Sequence, residues 1–149
     1  LELRESKMNR NNVMVMGKTI PTQLMYLTLF GYAGLQKFMN FSATSTHFST
    51  LFKDTFVPSL PGGMGLQVGF IAGVEVLIAL MFLVSLIRKE FLPGACRVWI
   101  ILGLILSSLL FIHLGIGQRL IGDYPSAATT FFYFGFTQVL LYLACEPSK

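Results

Sequence analysis

The sequence predicts an all-α integral membrane protein, a four-helix bundle with a short amphipathic interfacial helix in its first loop. Of its 149 residues, 54% are hydrophobic and only 12% are charged, and the mean hydropathy is +0.67. Soluble domains contain about 25% charged residues, so this composition indicates a membrane chain. Four hydrophobic segments are each close to the ~20 residues that an α-helix needs to cross a bilayer.

These segments predict the domain organisation. The spans are placed at about residues 20–40, 67–87, 95–117 and 127–145, inside a single transmembrane domain of residues 19–146. Residues 1–18 are predicted to be a basic N-terminal tail that is partly disordered. A chain of this length allows one compact bundle and no separate soluble domain.

The short loops predict the orientation. The loop that begins at Arg88 is basic, as is the N-terminal tail, whereas the other two loops balance Lys53 with Asp54 and Arg119 with Asp123. The positive-inside rule then places both termini on the inner, cytoplasmic or matrix-like side. Because the basic residues flank hydrophobic segments, they indicate topology, and a nucleic-acid partner is excluded.

The first loop contains the predicted interfacial helix, within residues 41–55. Its apolar residues, mostly phenylalanines, recur every three or four positions opposite serines and Lys53, a pattern typical of an amphipathic helix. The segment is too short and too polar to span the bilayer, so we expect it to lie in the outer interface. A soluble lid is the alternative. Pro58, Pro61 and Gly62 then end the helix and lead into the second span.

Three ionisable residues, Lys37, Glu75 and His113, lie within or at the rim of predicted spans. An ionisable group in hydrocarbon costs ~2.5–3.5 kcal/mol or more, so such groups usually mark functional sites. Because successive helices alternate in direction, the three residues are expected at similar depth, with Gln138 near mid-membrane. The functional interpretation is a pocket open to the outer leaflet in which these four residues bind a ligand or handle protons.

A structural interpretation is also open for each residue. Lys37 and Glu75 could pair as a clamp between helices, Lys37 could extend its ammonium to the membrane surface, and His113 could bond a backbone carbonyl. No metal ligands are assigned, because no His-x-x-His or Glu-x-x-His spacing exists. No catalytic residue is assigned either, since no nucleophile–base pair or dinucleotide fingerprint is present.

Glycines in the spans predict close helix packing. Gly69 and Gly73 form a G-x-x-x-G pattern on the second span, and Gly31 and Gly34 lie on the first. Small residues let helix backbones approach in membranes, here either within the bundle or against a partner chain.

The chain resembles the DoxX-like family of small four-span membrane proteins between about residues 19 and 143. The resemblance rests on four short stretches, Gly34-Leu35-Gln36-Lys37-Phe38, Phe56-Val57-Pro58, Gly73-Val74-Glu75-Val76-Leu77 and Phe111-Ile112-His113-Leu114. In that family a lysine closes the first span, a glutamate lies in the second and a histidine often ends the third. The region around Glu75 and the stretch Phe111-Ile112-His113 also resemble the NACHO chaperone branch.

The resemblance implies several functions. Some family members are membrane subunits of quinone-linked oxidoreductases, and the NACHO branch assists the assembly of multisubunit channels. The leading hypothesis is a small accessory or assembly subunit of a larger membrane complex, energy-transducing or redox, without catalytic activity of its own. The alternatives are a quinone-linked oxidoreductase subunit and an assembly chaperone. The expected ligand is a quinone or a lipid, and the expected partners are membrane lipids and other membrane protein subunits.

Overall fold

The chain folds into α-helices joined by short connections. The computed structural model describes the backbone of residues 2–145 and the side chains of residues 12–145. The helices in this part are α1 (Glu2–Met39), α2 (Phe41–Leu51), α3 (Gly63–Ile87), α4 (Val98–Leu120) and α5 (Tyr124–Cys145). A 3-10 turn at Val57–Ser59 links α2 to α3.

Three of the helices, α3, α4 and α5, are long and apolar enough to cross a membrane. The protein is therefore an all-helical chain with the features of a membrane protein. Helix α1 is not among the three, since threonines, tyrosines, glycines and glutamines dilute the apolar residues of its second half. The fourth span, and with it the four-span bundle, remains a prediction.

Helix α1 starts earlier than the first predicted span. It runs without a break from Glu2 through the boundary that the sequence placed at residue 18. Pro21 lies inside the helix. Because proline has no N–H, it cannot donate to the carbonyl of Gly17, yet the helix continues on both sides.

The helix predicted in the first loop is confirmed as α2. Its phenylalanines do not all face outward, because Phe52, directly after α2, is buried and its ring lies 3.4 Å from the Cβ position of Gly117 on α4. The ring of Phe41 lies 3.7 Å from the Cβ position of Gly69 on α3. Phe41 therefore covers the start of α3, and Phe52 covers the end of α4.

A chain of aromatic rings joins the four long helices through the core. Phe82 of α3 contacts Tyr26 of α1, with ring centroids 5.0 Å apart, and Tyr26 is followed by Phe30 on the same helix. Phe30 contacts Phe111 of α4 at 5.5 Å, and Phe111 contacts Tyr133 of α5 at 5.9 Å. Aromatic pairs at these distances add ~0.5–1.5 kcal/mol each beyond the area that they bury.

Glycines permit close contact at two helix crossings. A Cβ at Gly34 of α1 would lie 2.8 Å from a methyl group of Val76, and a Cβ at Gly103 of α4 would lie 2.9 Å from the ring of Phe82. Gly73 is different, since it is exposed and a Cβ there would meet nothing within 4 Å. Among the described residues, therefore, no helix packs against Gly73, and its contact with a partner chain remains a prediction.

Candidate functional site

Lys37 and Glu75 form an ion pair between α1 and α3. The Lys37 ammonium donates to both carboxylate oxygens of Glu75, at 2.8 and 2.9 Å. The Glu75 side chain is 4% exposed and that of Lys37 is 21% exposed. A buried carboxylate is thus neutralised by a cation that still reaches the surface of the bundle.

Gly34 sets the distance between the helices at this pair. It precedes Lys37 by one turn, and a Cβ there would also lie 3.1 Å from the Glu75 Cβ and 3.1 Å from the backbone nitrogen of Val76. A backbone atom cannot move aside as a flexible side chain can. The missing side chain at Gly34 therefore lets α1 and α3 approach closely enough for the lysine to contact both carboxylate oxygens.

The clamp interpretation predicts this pairing between two helices. Each oxygen of Glu75 accepts one hydrogen bond from the same ammonium, so Lys37 balances the charge of the buried carboxylate. A buried pair of this kind fixes the register of two helices, whereas loss of one partner leaves an uncompensated charge.

The structure does not bring His113 and Gln138 to this pair. His113 is exposed, and its ring lies edge-on to Phe70 with centroids 6.1 Å apart. Gln138 donates a 2.7 Å hydrogen bond to the hydroxyl of Ser108 on α4. In the part of the chain that the structure describes, no ion pair or hydrogen bond joins either residue to Lys37 or Glu75.

A physical reason explains why His113 does not join the pair. Depth in the membrane does not determine which way a side chain faces around its helix, and His113 faces the surface.

The cavities of the protein also lie away from these residues. An open groove follows the first turns of α3, from Gly65 to Phe70. A cavity of about 130 Å³ lies at the other end of the bundle, between α1, α4 and α5. We call this end, which carries Lys18, Arg88 and Arg97, the basic end. Neither cavity is lined by any of the four predicted site residues.

A second buried polar cluster, at the basic end, was missed by the sequence analysis. Glu90, in the loop between α3 and α4, is only 3% exposed. Its carboxylate accepts hydrogen bonds from the backbone N–H groups of Trp99 and Ile100, at 3.1 and 3.0 Å, and from the hydroxyl of Ser85 at 3.0 Å. Ser85 in turn accepts a 2.5 Å hydrogen bond from the side-chain amide of Gln23 on α1. The cluster therefore ties α1, α3 and the start of α4 together.

Glu90 had a sequence signal, although a weak one. Helix α4 begins at Val98 after Arg97, a residue that cannot accept the orphan N–H groups of the first turn, and Arg97 makes no side-chain cap. Glu90 is the one acidic residue of the preceding loop. A carboxylate is favoured at a helix N-terminus because it meets both the free N–H groups and the positive end of the helix dipole.

Neither cluster gathers a set of metal ligands. Among the described residues, no group of three or more His, Cys, Asp and Glu side chains could hold a metal ion. The side-chain oxygen of Gln23 is fully buried and has no hydrogen-bond partner in this part of the chain.

No protein-family model, curated protein or solved structure matches the chain. The resemblance to DoxX-like proteins therefore remains a prediction from the quoted stretches. The function must be argued from the geometry of the chain itself.

Proposed function

We propose that the protein is a small accessory or assembly subunit of a larger membrane complex, energy-transducing or redox, and has no catalytic activity of its own. The Lys37–Glu75 pair supports a structural role, because its carboxylate is already occupied by a partner from the same chain. The observation that carries the proposal is an exposed apolar face on α3.

This face, which we call the α3 seam, runs along one side of the helix. It consists of residues that alternate at four- and three-residue spacing and are all exposed: Leu66, Phe70, Gly73, Leu77 and Leu80. That spacing is the heptad repeat by which one helix packs along another. At its centre, Gly73 leaves open space into which the backbone of a second helix fits.

Gly73 favours a protein partner over lipid as the neighbour of the seam. Lipid tails are as apolar as leucine, so a lipid-facing position gains nothing from a glycine. Glycine inside a helix costs about 1 kcal/mol relative to alanine. Small residues at membrane helix contacts allow the close backbone approach that drives association, and Gly73 makes no such contact within its own chain.

Helix α5 extends the surface that is open to partners. Only Ala127, Thr130 and Thr137 of its residues are buried. A helix that contributes so little to its own core presents most of its side chains to lipid or to another subunit.

The alternative functions have less support. A quinone-linked subunit that uses Glu75 and His113 together for proton transfer needs the two side chains to act on one ligand. Among the described residues they have no polar contact with each other or with a shared group. An assembly chaperone would use the same α3 seam but would bind its clients only transiently. The experiment below separates these roles by the lifetime of the complex.

The test is co-purification from native membranes in mild detergent with the variant Gly73→Leu. Because nothing lies within 4 Å of a Cβ at this position, we expect the variant to unfold at the wild-type temperature but to lose its stoichiometric partner. Gly17→Leu is the matched control, since Gly17 is equally open but lies on α1 away from the seam, and it should keep both properties. Gly34→Leu should instead fail to fold, because it would meet the α3 backbone.

Retention of the partner by Gly73→Leu at wild-type stoichiometry would refute the role of the seam. Contact only with unassembled subunits would replace the accessory role with that of a chaperone. Quinone reduction by the isolated chain would overturn the non-catalytic assignment.

A further inference from the structure

The cavity at the basic end lies between helices that separate there. Helix α1 is joined to α5 by a hydrogen bond from the Tyr26 hydroxyl to Thr137, whose own hydroxyl donates to the carbonyl of Tyr133. One turn closer to the basic end, Thr22 on α1 and Leu140 on α5 already line the cavity. The Tyr26–Thr137 contact therefore marks the inner limit of a cleft that opens between α1, α4 and α5.

The walls of this cleft are apolar and its rim is cationic. Ile100 and Leu104 of α4 and Leu140 of α5 form the interior, while Lys18 of α1 and Arg97 of α4 lie at the rim. From Arg97 to Leu104 the cleft follows α4 for about 10 Å. Its volume of about 130 Å³ is close to that of apolar cavities of ~150 Å³ that bind a benzene-sized molecule.

The two cations are available to an anion from outside the chain. In the part of the chain that the structure describes, the ion pairs are Lys37–Glu75 and Lys53–Asp54, and neither involves Lys18 or Arg97. The nearby carboxylate of Glu90 is directed at the N–H groups of Trp99 and Ile100.

Among the described residues that line the cleft, recognition of an anion would fall to these two side chains. The hydroxyls of Thr19 and Thr22, which also line the cleft, donate to carbonyls of their own helix and have no hydrogen left for an anion. The N–H groups of Trp99 and Ile100 in the first turn of α4 are occupied by Glu90.

We propose that this cleft binds one anionic phospholipid. Its phosphate lies between Lys18 and Arg97, and the first part of one acyl chain lies along Ile100, Leu104 and Leu140. Basic pockets between membrane helices are typical sites for anionic lipid headgroups, and the apolar interior provides what a free phosphate would not use. The site requires that the protein lies in a membrane, but it does not depend on the accessory role or on the α3 seam.

Trp99, the single tryptophan of the chain, provides the fluorescence signal, and its ring lies 5.8 Å from the guanidinium of Arg88, outside the cleft. It directly precedes Ile100, which lines the cleft. The experiment measures quenching of Trp99 fluorescence in nanodiscs that contain phospholipids brominated on the acyl chain, either phosphatidylglycerol or phosphatidylcholine with the same chains. We expect the wild type to prefer phosphatidylglycerol by tenfold or more, since each basic residue near a membrane surface contributes about fivefold.

Variants separate the headgroup contact from the chain contact. Lys18→Gln/Arg97→Gln should remove the preference for phosphatidylglycerol, whereas Lys89→Gln, the same charge change at the same end but outside the cleft, should keep it. Ala144→Phe fills the cleft without changing charge and should reduce quenching by both lipids. Each variant is checked for wild-type thermal unfolding in lipid-free detergent.

Two outcomes would overturn the assignment. Equal quenching of the wild type by both lipids would show ordinary contact with surrounding lipid and no site. Displacement of phosphatidylglycerol by millimolar inorganic phosphate would show a site for a small anion and no site for a lipid. Because the α3 seam is not probed here, failure of this proposal leaves the proposed function standing, and the reverse also holds.

Discussion

Removal of the Lys37–Glu75 pair, one partner at a time and then together, is the most direct test of the clamp. Lys37→Met leaves a carboxylate that is 4% exposed without a counter-ion, and loss of one partner of a buried pair costs ~3–5 kcal/mol. Glu75→Leu leaves an ammonium that is 21% exposed and can extend along its flexible stem to the surface, so we expect a smaller loss, about 1–3 kcal/mol. The free energies of unfolding of the two variants should therefore be unequal.

The double variant Lys37→Met/Glu75→Leu tests whether the two side chains stabilise the protein as a pair or independently of each other. Replacement of a buried pair by apolar residues is often neutral, so we expect it to lie within about 1 kcal/mol of the wild type. The coupling free energy from the four measurements should then exceed ~2 kcal/mol.

The assay is reversible unfolding in mixed micelles, followed by helix content. The same cycle at the exposed pair Lys53 and Asp54, whose charged atoms are 4.0 Å apart, is the control and should give a coupling near zero. Losses in the double variant equal to the sum of the single losses would show that the pair does not act as a unit. A stable double variant that no longer binds its complex would assign the pair to the functional surface.

Two further predictions concern the ends of α4 and α5. Glu90→Ala leaves the N–H groups of Trp99 and Ile100 unpaired and should destabilise the protein by about 2–4 kcal/mol. Glu90→Gln keeps an acceptor and should lower the free energy of unfolding by about half as much. Thermal unfolding at neutral pH measures both losses. Equal losses would show that the charge, and not the hydrogen bonds, is what α4 requires. Hydrogen bonds from the side chain and then the backbone of Ser126 lower the pKa of Asp123 at the start of α5, so its stabilising effect should be complete above about pH 4 and disappear as the pH falls further. Asp123→Asn should lack this acid dependence, and identical acid unfolding profiles would contradict the prediction.

Much of the fold follows from one-dimensional features of the sequence. The spans in α3, α4 and α5 are predicted by hydropathy alone, within a few residues at each end. Helix α2 follows from its three- and four-residue apolar spacing. The start of α1 cannot be predicted in this way, because a polar helix that precedes a hydrophobic segment has no apolar periodicity. Pro21 also resembles the first residue of a helix.

The sequence predicts the part of the candidate site that depends on how far each residue lies along its helix. Lys37 lies near the end of one predicted span and Glu75 lies inside the next, and antiparallel helices bring the two residues together. Their pairing lowers the free-energy cost of burying both charges. His113 and Gln138 lie on α4 and α5, and the rotation of those helices is set by close contacts such as that of Gly103 with Phe82. Contacts of this kind depend on shape, which composition and periodicity do not encode.

Glu90 illustrates a different limit. In a basic loop between two spans, a single glutamate is most simply interpreted as a solvated partner for Arg88 or Lys89. Its burial follows from a requirement of the next helix, whose first N–H groups have no local acceptor. The unpaired N–H groups at the start of α4 point to Glu90 as their acceptor, whereas the distribution of charge along the chain does not.

The contacts of α1 explain why the two proposed surfaces are independent. Helix α1 is held to α3 at one end by Lys37–Glu75 and at the other by Gln23–Ser85, but it is joined to α5 through Tyr26–Thr137. The bundle is therefore firmly closed between α1 and α3, and it opens toward the basic end between α1 and α5. A lipid in that cleft would replace missing helix contacts there, while α3, which does not line the cleft, keeps its seam free for a partner. Lipid binding should thus stabilise the protein without competing for the α3 seam.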